Sequence, residues 1–309
     1  MCVCQDILIA LTISASGVLR TQPQPTRETL NDRSIAMTPA IVAIPLSLGT
    51  WIYFLWVFLA AVAFMINLKQ IYPQTAVVFP YAIDEGPAWA PMDPMTEQNR
   101  WLTNVALLGL FAIPHSVLAR TAVKRYLNWD PNIERSLYVL IADVCLHLVI
   151  AAWQPLMDGK MVYKTDSPTL YALYGVGLAW ILTSTFALDH FRLFGITQAT
   201  GFDIMGALNF APVEGGFVKR LHYRLVRHPI MTGFFALFWF IPNMTVGHLV
   251  FSSACSVYIL LAVHFLEEPH LASQIGKEYD EYMKTCPAYI PGFPICPIPH
   301  AVPSKMRRD

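Results

Sequence analysis

Six stretches of the chain are almost continuously apolar: Ile44–Ile66, Trp101–Leu118, Leu137–Trp153, Leu170–Leu188, Ile230–Thr245 and Val246–Leu266. Each approaches the roughly 20 residues that a helix needs to cross a bilayer. Backbone amides in hydrocarbon must bond within their own segment, so the pattern predicts helices. The predicted fold class is all-α: a polytopic membrane helical bundle of about five to six transmembrane helices. Its last two form a C-terminal helical hairpin, with Pro242-Asn243-Met244-Thr245 as a tight turn.

Composition agrees with that pattern. Of 309 residues 55% are hydrophobic and 14% charged, with a mean hydropathy of +0.45. Soluble domains carry roughly 25% charged residues, so lipid is part of the solvent here. A net charge of +0 gives no bias toward nucleic acid, and none is expected as a partner. Cys145 and Cys255 lie in apolar runs, so the six cysteines form no disulfide framework. Cys2 and Cys4 are too close for an ordinary metal knuckle, and no metal site is expected.

The chain divides into residues 1–40, an N-terminal extension that is targeting or disordered, a membrane domain over 41–293, and a tail over 294–309. Ile7–Val18 is apolar but only about 12 residues long and has no basic flank before it, unlike a signal peptide. Met37 opens a plausible shorter chain.

Charge sets the expected orientation. Arg120, Lys124, Arg125 and Arg135 follow the second span; Arg192, Lys219, Arg220, Arg224 and Arg227 follow the fourth; Lys305, Arg307 and Arg308 end the tail. The loop after the first span is acidic, with Asp84, Glu85, Asp93 and Glu97. The positive-inside rule then puts both termini and the two basic loops in the cytosol.

Ionisable residues beside spans are costly and tend to be functional. His115, Ser116 and Arg120 close span two, Glu134 and Arg135 open span three, and Asp189 and His190 close span four. Arg227 and His228 open span five, and Glu267 and Glu268 close span six. All five groups fall on the expected cytosolic side. Snorkelling accounts for Arg120 or Arg192 taken alone. His147 and His248 read as hydrogen-bonded core residues. In Arg227-His228-Pro229-Ile230-Met231-Thr232-Gly233, Pro229 suits the first turn of a helix. The free amides there favour an anion, and Arg227 can add a bidentate grip on a carboxylate. Gly233 lets a backbone or a ligand approach closely.

This string, followed about 34 residues later by Glu267-Glu268, resembles the cofactor motif of membrane methyltransferases of the isoprenylcysteine carboxyl methyltransferase and phospholipid methyltransferase type. Gly276-Lys277-Glu278-Tyr279, Tyr282 and Pro287–Pro291 fit its sequel. His115 through Arg120 and Glu134 through Leu140 resemble the NnrU-like branch. Asp189 through Gln198 and Trp239 through His248 look like the methanethiol S-methyltransferase family. The resemblance covers roughly residues 101–293. Two positions depart from the pattern: Asp189 stands where the family has Asn, and Met231 where it has an aromatic.

The resemblance implies an enzyme with a cytosolic pocket for S-adenosylmethionine (SAM), built from Tyr223, Arg227, His228, Pro229, Gly233, Glu267 and Glu268. It implies methyl transfer to a small thiol, most simply methanethiol giving dimethyl sulfide. Arg227 suits the cofactor's carboxylate, and Glu267 or Glu268 its ammonium. The nucleophile is a thiolate, so His115 and His190 are candidate bases. Arg120 or Arg135 would stabilise the anion, with Glu134 beside them. Other readings stay open: a haem-binding NnrU-like carotenoid isomerase with His115, His190 and Cys255 as candidate ligands, a scaffold without activity, or a prenylcysteine or lipid acceptor.

Overall fold

The computed structural model describes residues 38–87, 95–208 and 221–292. The expected N-terminal extension and the tail therefore lie outside the described residues. Among the described residues, five helices are long and apolar enough to cross a membrane. They are α1 (Ala40–Met65), α2 (Glu97–Leu118), α3 (Glu134–Ala152), α4 (Pro168–Leu188) and a continuous helical run over Val246–Ile275. The chain is an integral multi-pass membrane protein.

Polar contacts between connecting segments define two ends of the bundle. At one end Thr38, which leads into α1, bonds Asp130 and Asn132 in the connection between α2 and α3. At the other end Asn104 of α2 bonds the backbone of Gln154 just past α3 at 2.8 Å in both directions. Asp84, in the loop after α1, accepts from Asn67 at 2.6 Å and from Thr245 at 2.7 Å. The first is called the polar end below, the second the far end.

The fifth crossing differs from its expected form. Its helix, α5 (Pro229–Trp239), has 11 residues and rises about 16 Å, half of a ~30 Å hydrocarbon core. Asn243–Thr245 then run extended instead of making a tight turn. Asn243–Thr245 (β2) pairs antiparallel with Met161–Lys164 (β1), with Met161 opposite Thr245 and Lys164 opposite Asn243. Pro242 has no N–H to continue a helix, and its carbonyl accepts from Thr165 N at 3.0 Å. Non-helical backbone at this depth is tolerable because protein partners satisfy it. The hairpin itself holds: Trp239 Nε1 donates to Ser256 Oγ at 3.0 Å, and Ser252 Oγ donates to the Phe238 carbonyl at 3.0 Å.

The sixth crossing also differs. Glu267 and Glu268 do not end it. Helix α6 (Val246–Ala262) passes through a π-helical turn at Val263–Glu267 and continues as α7 (Glu268–Ile275), followed by α8 (Lys277–Thr285). Such π turns are rare and recur at functional sites.

Helices α4 and α5 meet through glycines. A Cβ at Gly177 would lie 2.7 Å from Ala236 Cβ, and one at Gly233 would lie 2.4 Å from Ile181 Cγ1 and 3.0 Å from the Gly177 carbonyl. Lipid tails are as apolar as the side chains, so close van der Waals packing between small residues is what joins such helices. Cys145 and Cys255 are free thiols in α3 and α6. Cys286, just past α8, is disulfide-bonded, which spacing alone does not reveal. His248 departs from the core reading: it is fully buried, yet neither ring nitrogen has a hydrogen-bond partner among the described residues. Its backbone N–H is instead capped by Thr245 Oγ1 at 3.2 Å.

Gly177→Val should lower the thermal unfolding midpoint in detergent, with a cost of about 1–3 kcal/mol for overpacking. Gly175→Ala, where nothing lies within 4 Å, should leave it unchanged or slightly raised. Equal midpoints for the two variants would remove the close approach as the joint between α4 and α5.

Candidate functional site

The short segment ahead of α5 and the segment after α8 are stitched together. Arg227 N and His228 N donate to the carbonyls of Pro287 and Ala288 at 2.9 and 3.0 Å. Tyr282 Oη donates to the Tyr223 carbonyl at 2.5 Å, and Thr232 Oγ1 to that of Tyr289 at 2.6 Å. The buried pair Tyr279 and Tyr282, three residues apart on α8, packs with Leu271 and Cys286 in a small core of its own. This core presses α7 and α8 against the motif.

Within that frame Arg227, His228, Glu267 and Glu268 form one charged knot. Arg227 Nε and Nη2 both donate to Glu268 Oε1, at 2.9 and 2.6 Å, and His228 Nε2 lies 3.1 Å from the same oxygen. Arg227 Nη1 donates to the carbonyls of Met283, at 3.0 Å, and Cys286. His228 Nδ1 lies 3.3 Å from Glu267 Oε1. Burial pushes the His228 imidazole down, but the two carboxylates outweigh it and hold the group above its ordinary value. The ring sits between Glu267 and Glu268.

The structure brings these four residues together, with a bonding pattern that the sequence does not give. Arg227 does not present an open fork, because its three nitrogens are already engaged. A ligand carboxylate would have to share or displace Glu268. Conversely, none of these bonds uses Glu268 Oε2, and the buried Glu267 Oε1 has His228 Nδ1 as its ion-pair contact. Pro229 stands at the first position of α5, as expected. Gly233 faces α4 rather than the knot. Tyr223 is buried and contributes its carbonyl. Beside the knot is a recess of about 410 Å³, lined by Arg227, Glu268, Ala288 and Tyr289 and by Leu260, Leu261, Val263, His264 and Phe265 of the last crossing. Tyr289 is the site residue that sequence reasoning missed. It falls within the Pro287–Pro291 string, and no periodicity marks it.

The remaining candidates lie at the same end but on other helices. His115 is buried, stacked on Phe111 with centroids 5.1 Å apart, and 3.3 Å from Tyr138 Oη. Arg135 Nε donates to the Leu193 carbonyl at 2.7 Å, and its guanidinium lies 5.2 Å from the centre of the Tyr138 ring. Glu134 pairs with Lys124 at 3.4 Å. Arg120 Nη2 is buried without a hydrogen-bond partner among the described residues.

His190 is held on both nitrogens. Trp51 Nε1 donates to Nε2 at 3.0 Å, so Nε2 is an acceptor, and the proton sits on Nδ1, 2.8 Å from Thr185 Oγ1. Burial pushes its pKa down to about 4. The engagement of both nitrogens suits a group that orients α1 against α4 better than one that collects a substrate proton. Asp189, the departure from the family pattern, caps its own short helix: Oδ1 accepts from Arg192 N at 3.0 Å and Oδ2 faces Arg192 Nε at 3.2 Å. Met231 is buried in the main core. For the haem reading, His190 has no free nitrogen, and Cys255 packs against the core in mid-helix.

No protein-family model matches the chain, and no solved structure matches it. Among curated proteins it is 41% identical over 197 residues to the methanethiol S-methyltransferase of Mycobacterium tuberculosis, covering 62% of this chain and 78% of that protein. It is 39% identical over 221 residues to the methanethiol S-methyltransferase of Pseudomonas deceptionensis, covering 69% and 78%. A more distant relative is Nurim of Xenopus laevis, 30% identical over 189 residues, covering 57% and 65%. More than two thirds of each methyltransferase relative is matched at well over 30% identity, and the chain is a member of the methanethiol S-methyltransferase family of membrane enzymes.

Proposed function

We propose that this enzyme transfers a methyl group from SAM to methanethiol, giving dimethyl sulfide, at the polar end of the bundle, and that this end faces the cytosol. The observation that carries the reading is the identity to relatives named methanethiol S-methyltransferase over most of their length.

The residues present fit SAM. A volume of about 410 Å³ lies within the ~300–1,000 Å³ of small-molecule sites. Glu268 Oε2 and Glu267 Oε1 are the oxygens suited to an ammonium group, and Arg227 can turn part of its fork from Glu268 to a carboxylate. Tyr289 offers an aromatic face, which suits a cation. SAM supplies a methyl group activated on a sulfonium. The protein holds it, orients it and excludes water, which is mainly a positioning task. His228, lying between the two carboxylates, fixes Glu267 and Glu268 in place. His115 remains as the candidate base, with Arg135 and the Arg120 Nη2 group to steady a thiolate. His190 positions the helices around them. The basic loops at this end support the cytosolic orientation through the positive-inside rule.

The recess wall supports an apolar acceptor arriving from lipid, since Leu260, Leu261 and Phe265 are exposed on the outside of the bundle. That wall would also admit a prenyl chain, so a prenylcysteine is the second reading. Purified protein given SAM and methanethiol should release dimethyl sulfide into the headspace, and should leave a prenylcysteine unmethylated. The reverse result selects the second reading; no product from either acceptor overturns both.

Arg227→Lys and Glu268→Gln should each weaken SAM binding at least tenfold, about 1.4 kcal/mol, because a point charge cannot bridge what the fork bridges. His115→Gln should lower kcat by about 10²-fold or more with little change in SAM affinity. Wild-type affinity and turnover in the Arg227 and Glu268 variants would remove this cofactor assignment.

A further inference from the structure

Much of helix α2 faces outward. Leu102, Val105, Leu110, Ile113 and Val117 are exposed, and only Asn104 and His115 of this helix are buried. Polar contacts pin it at two heights. Asn104 bonds the backbone of Gln154 at the far end; at the polar end the pinned turn is the one that carries His115. That turn is weak as a helix, because Pro114 lies inside it. Pro114 has no N–H to give the Leu110 carbonyl, and its ring crowds that carbonyl, so the helix can bend there. The residue after the weak point is the candidate base.

Two tyrosines from different helices grip this turn. Tyr138 of α3 lies with its Oη 3.3 Å from His115 Nδ1 and 3.3 Å from the His115 carbonyl. Tyr258 of α6 reaches across from the last crossing. Its Oη donates to the Ala112 carbonyl at 3.3 Å and lies 2.8 Å from Ser116 Oγ. A phenol has one proton to give; with that proton on Ala112, Ser116 Oγ donates to Tyr258. Ala112 precedes Pro114 and Ser116 follows it, so a single hydroxyl is bonded to both sides of the weak point. Tyr258 is half-buried. Three residues further along α6, Leu261 lines the recess, and four residues further the helix passes from Ala262 into the π turn that ends at Glu267. The same hydroxyl therefore joins the helix of the charged knot to the turn of His115.

We propose that Tyr258 is a positioning residue for the methyl transfer: its hydroxyl fixes the bend of α2 at Pro114 and so sets where His115 stands relative to the helix that carries the knot. The proposal rests on the function given above, with His115 as the base. Tyr258 touches neither substrate nor cofactor in this role and moves no proton. Its effect is geometric. Methyl transfer needs the base, the thiol and the sulfonium held in one arrangement, and a displacement of about 1 Å can cost about 10² in rate. A polar bond between outward-facing helices also adds to their association, so a purely structural tie is the alternative that the test has to separate.

The test uses the full-length protein in lipid and two readouts. Without SAM or thiol, amide hydrogen exchange over the last turn of α2 should be faster in Tyr258→Phe, which keeps the ring and removes only the hydroxyl. With substrates, Tyr258→Phe should lower kcat about tenfold or more and leave SAM affinity unchanged. Ser116→Ala should do the same, and the double variant should be no slower than either single one, because both remove one link. Added to His115→Gln, Tyr258→Phe should cost nothing further, since no base is left to place. Pro114→Ala, which restores the helix bond to Leu110, should recover kcat in Tyr258→Phe. Wild-type exchange or wild-type kcat in Tyr258→Phe overturns the proposal. So does a loss of the same size in the His115→Gln background, which is the result a purely structural tie predicts. If no protein forms dimethyl sulfide, the proposed reaction fails by itself, because the exchange readout needs no substrate and still reports whether Tyr258 holds the turn.

Discussion

Inside an apolar bundle every polar group must find its partner within the protein. That constraint organises the structure. It makes the long crossings helical, so that most amides bond within their own segment. It explains why the chain breaks helix in the fifth crossing only where β1 and the Thr165 amide receive the freed backbone. It also concentrates charge at one end, where Arg227, His228, Glu267 and Glu268 satisfy one another.

The charged knot has a structural role as well as a chemical one. Through the carbonyls of Met283, Cys286, Pro287 and Ala288 it ties the helices that follow the last crossing onto the start of α5. Any ligand that claims part of Arg227 or Glu268 therefore acts on the same contacts that hold α7 and α8 in place. Binding and the seating of the C-terminal helices are linked at these residues. The π turn at Val263–Glu267 belongs to the same arrangement, since it sets the direction in which Glu267 and Glu268 leave the helix.

Histidines show how little residue type decides by itself. His228 is flanked by two carboxylates that raise its pKa, and His190 is held between Trp51 and Thr185. His147 bridges two tyrosines, and His248 has no side-chain hydrogen bond at all. All four are buried or partly buried in apolar surroundings. What separates them is the neighbouring helix. From the sequence, His190 and His115 look equivalent as bases; the Trp51 indole, about 140 positions away in the chain, distinguishes them.

The sequence by itself determined the class of the fold, the positions of the crossings and the end at which charge gathers. Apolar run length and local charge are properties of neighbouring residues, and the bilayer reads them directly. It also determined the family through contiguous strings such as Arg227 to Gly233. It placed the break in the fifth crossing only approximately, because Pro242 marks a helix end but not the β1 strand that accepts the extended chain. Only the tertiary structure decided that Arg227 is already bound to Glu268, that Gly233 serves α4, and that His147 lies between Tyr53 and Tyr81. Each depends on contacts between residues tens of positions apart, whose partners are fixed by helix packing rather than by any local pattern.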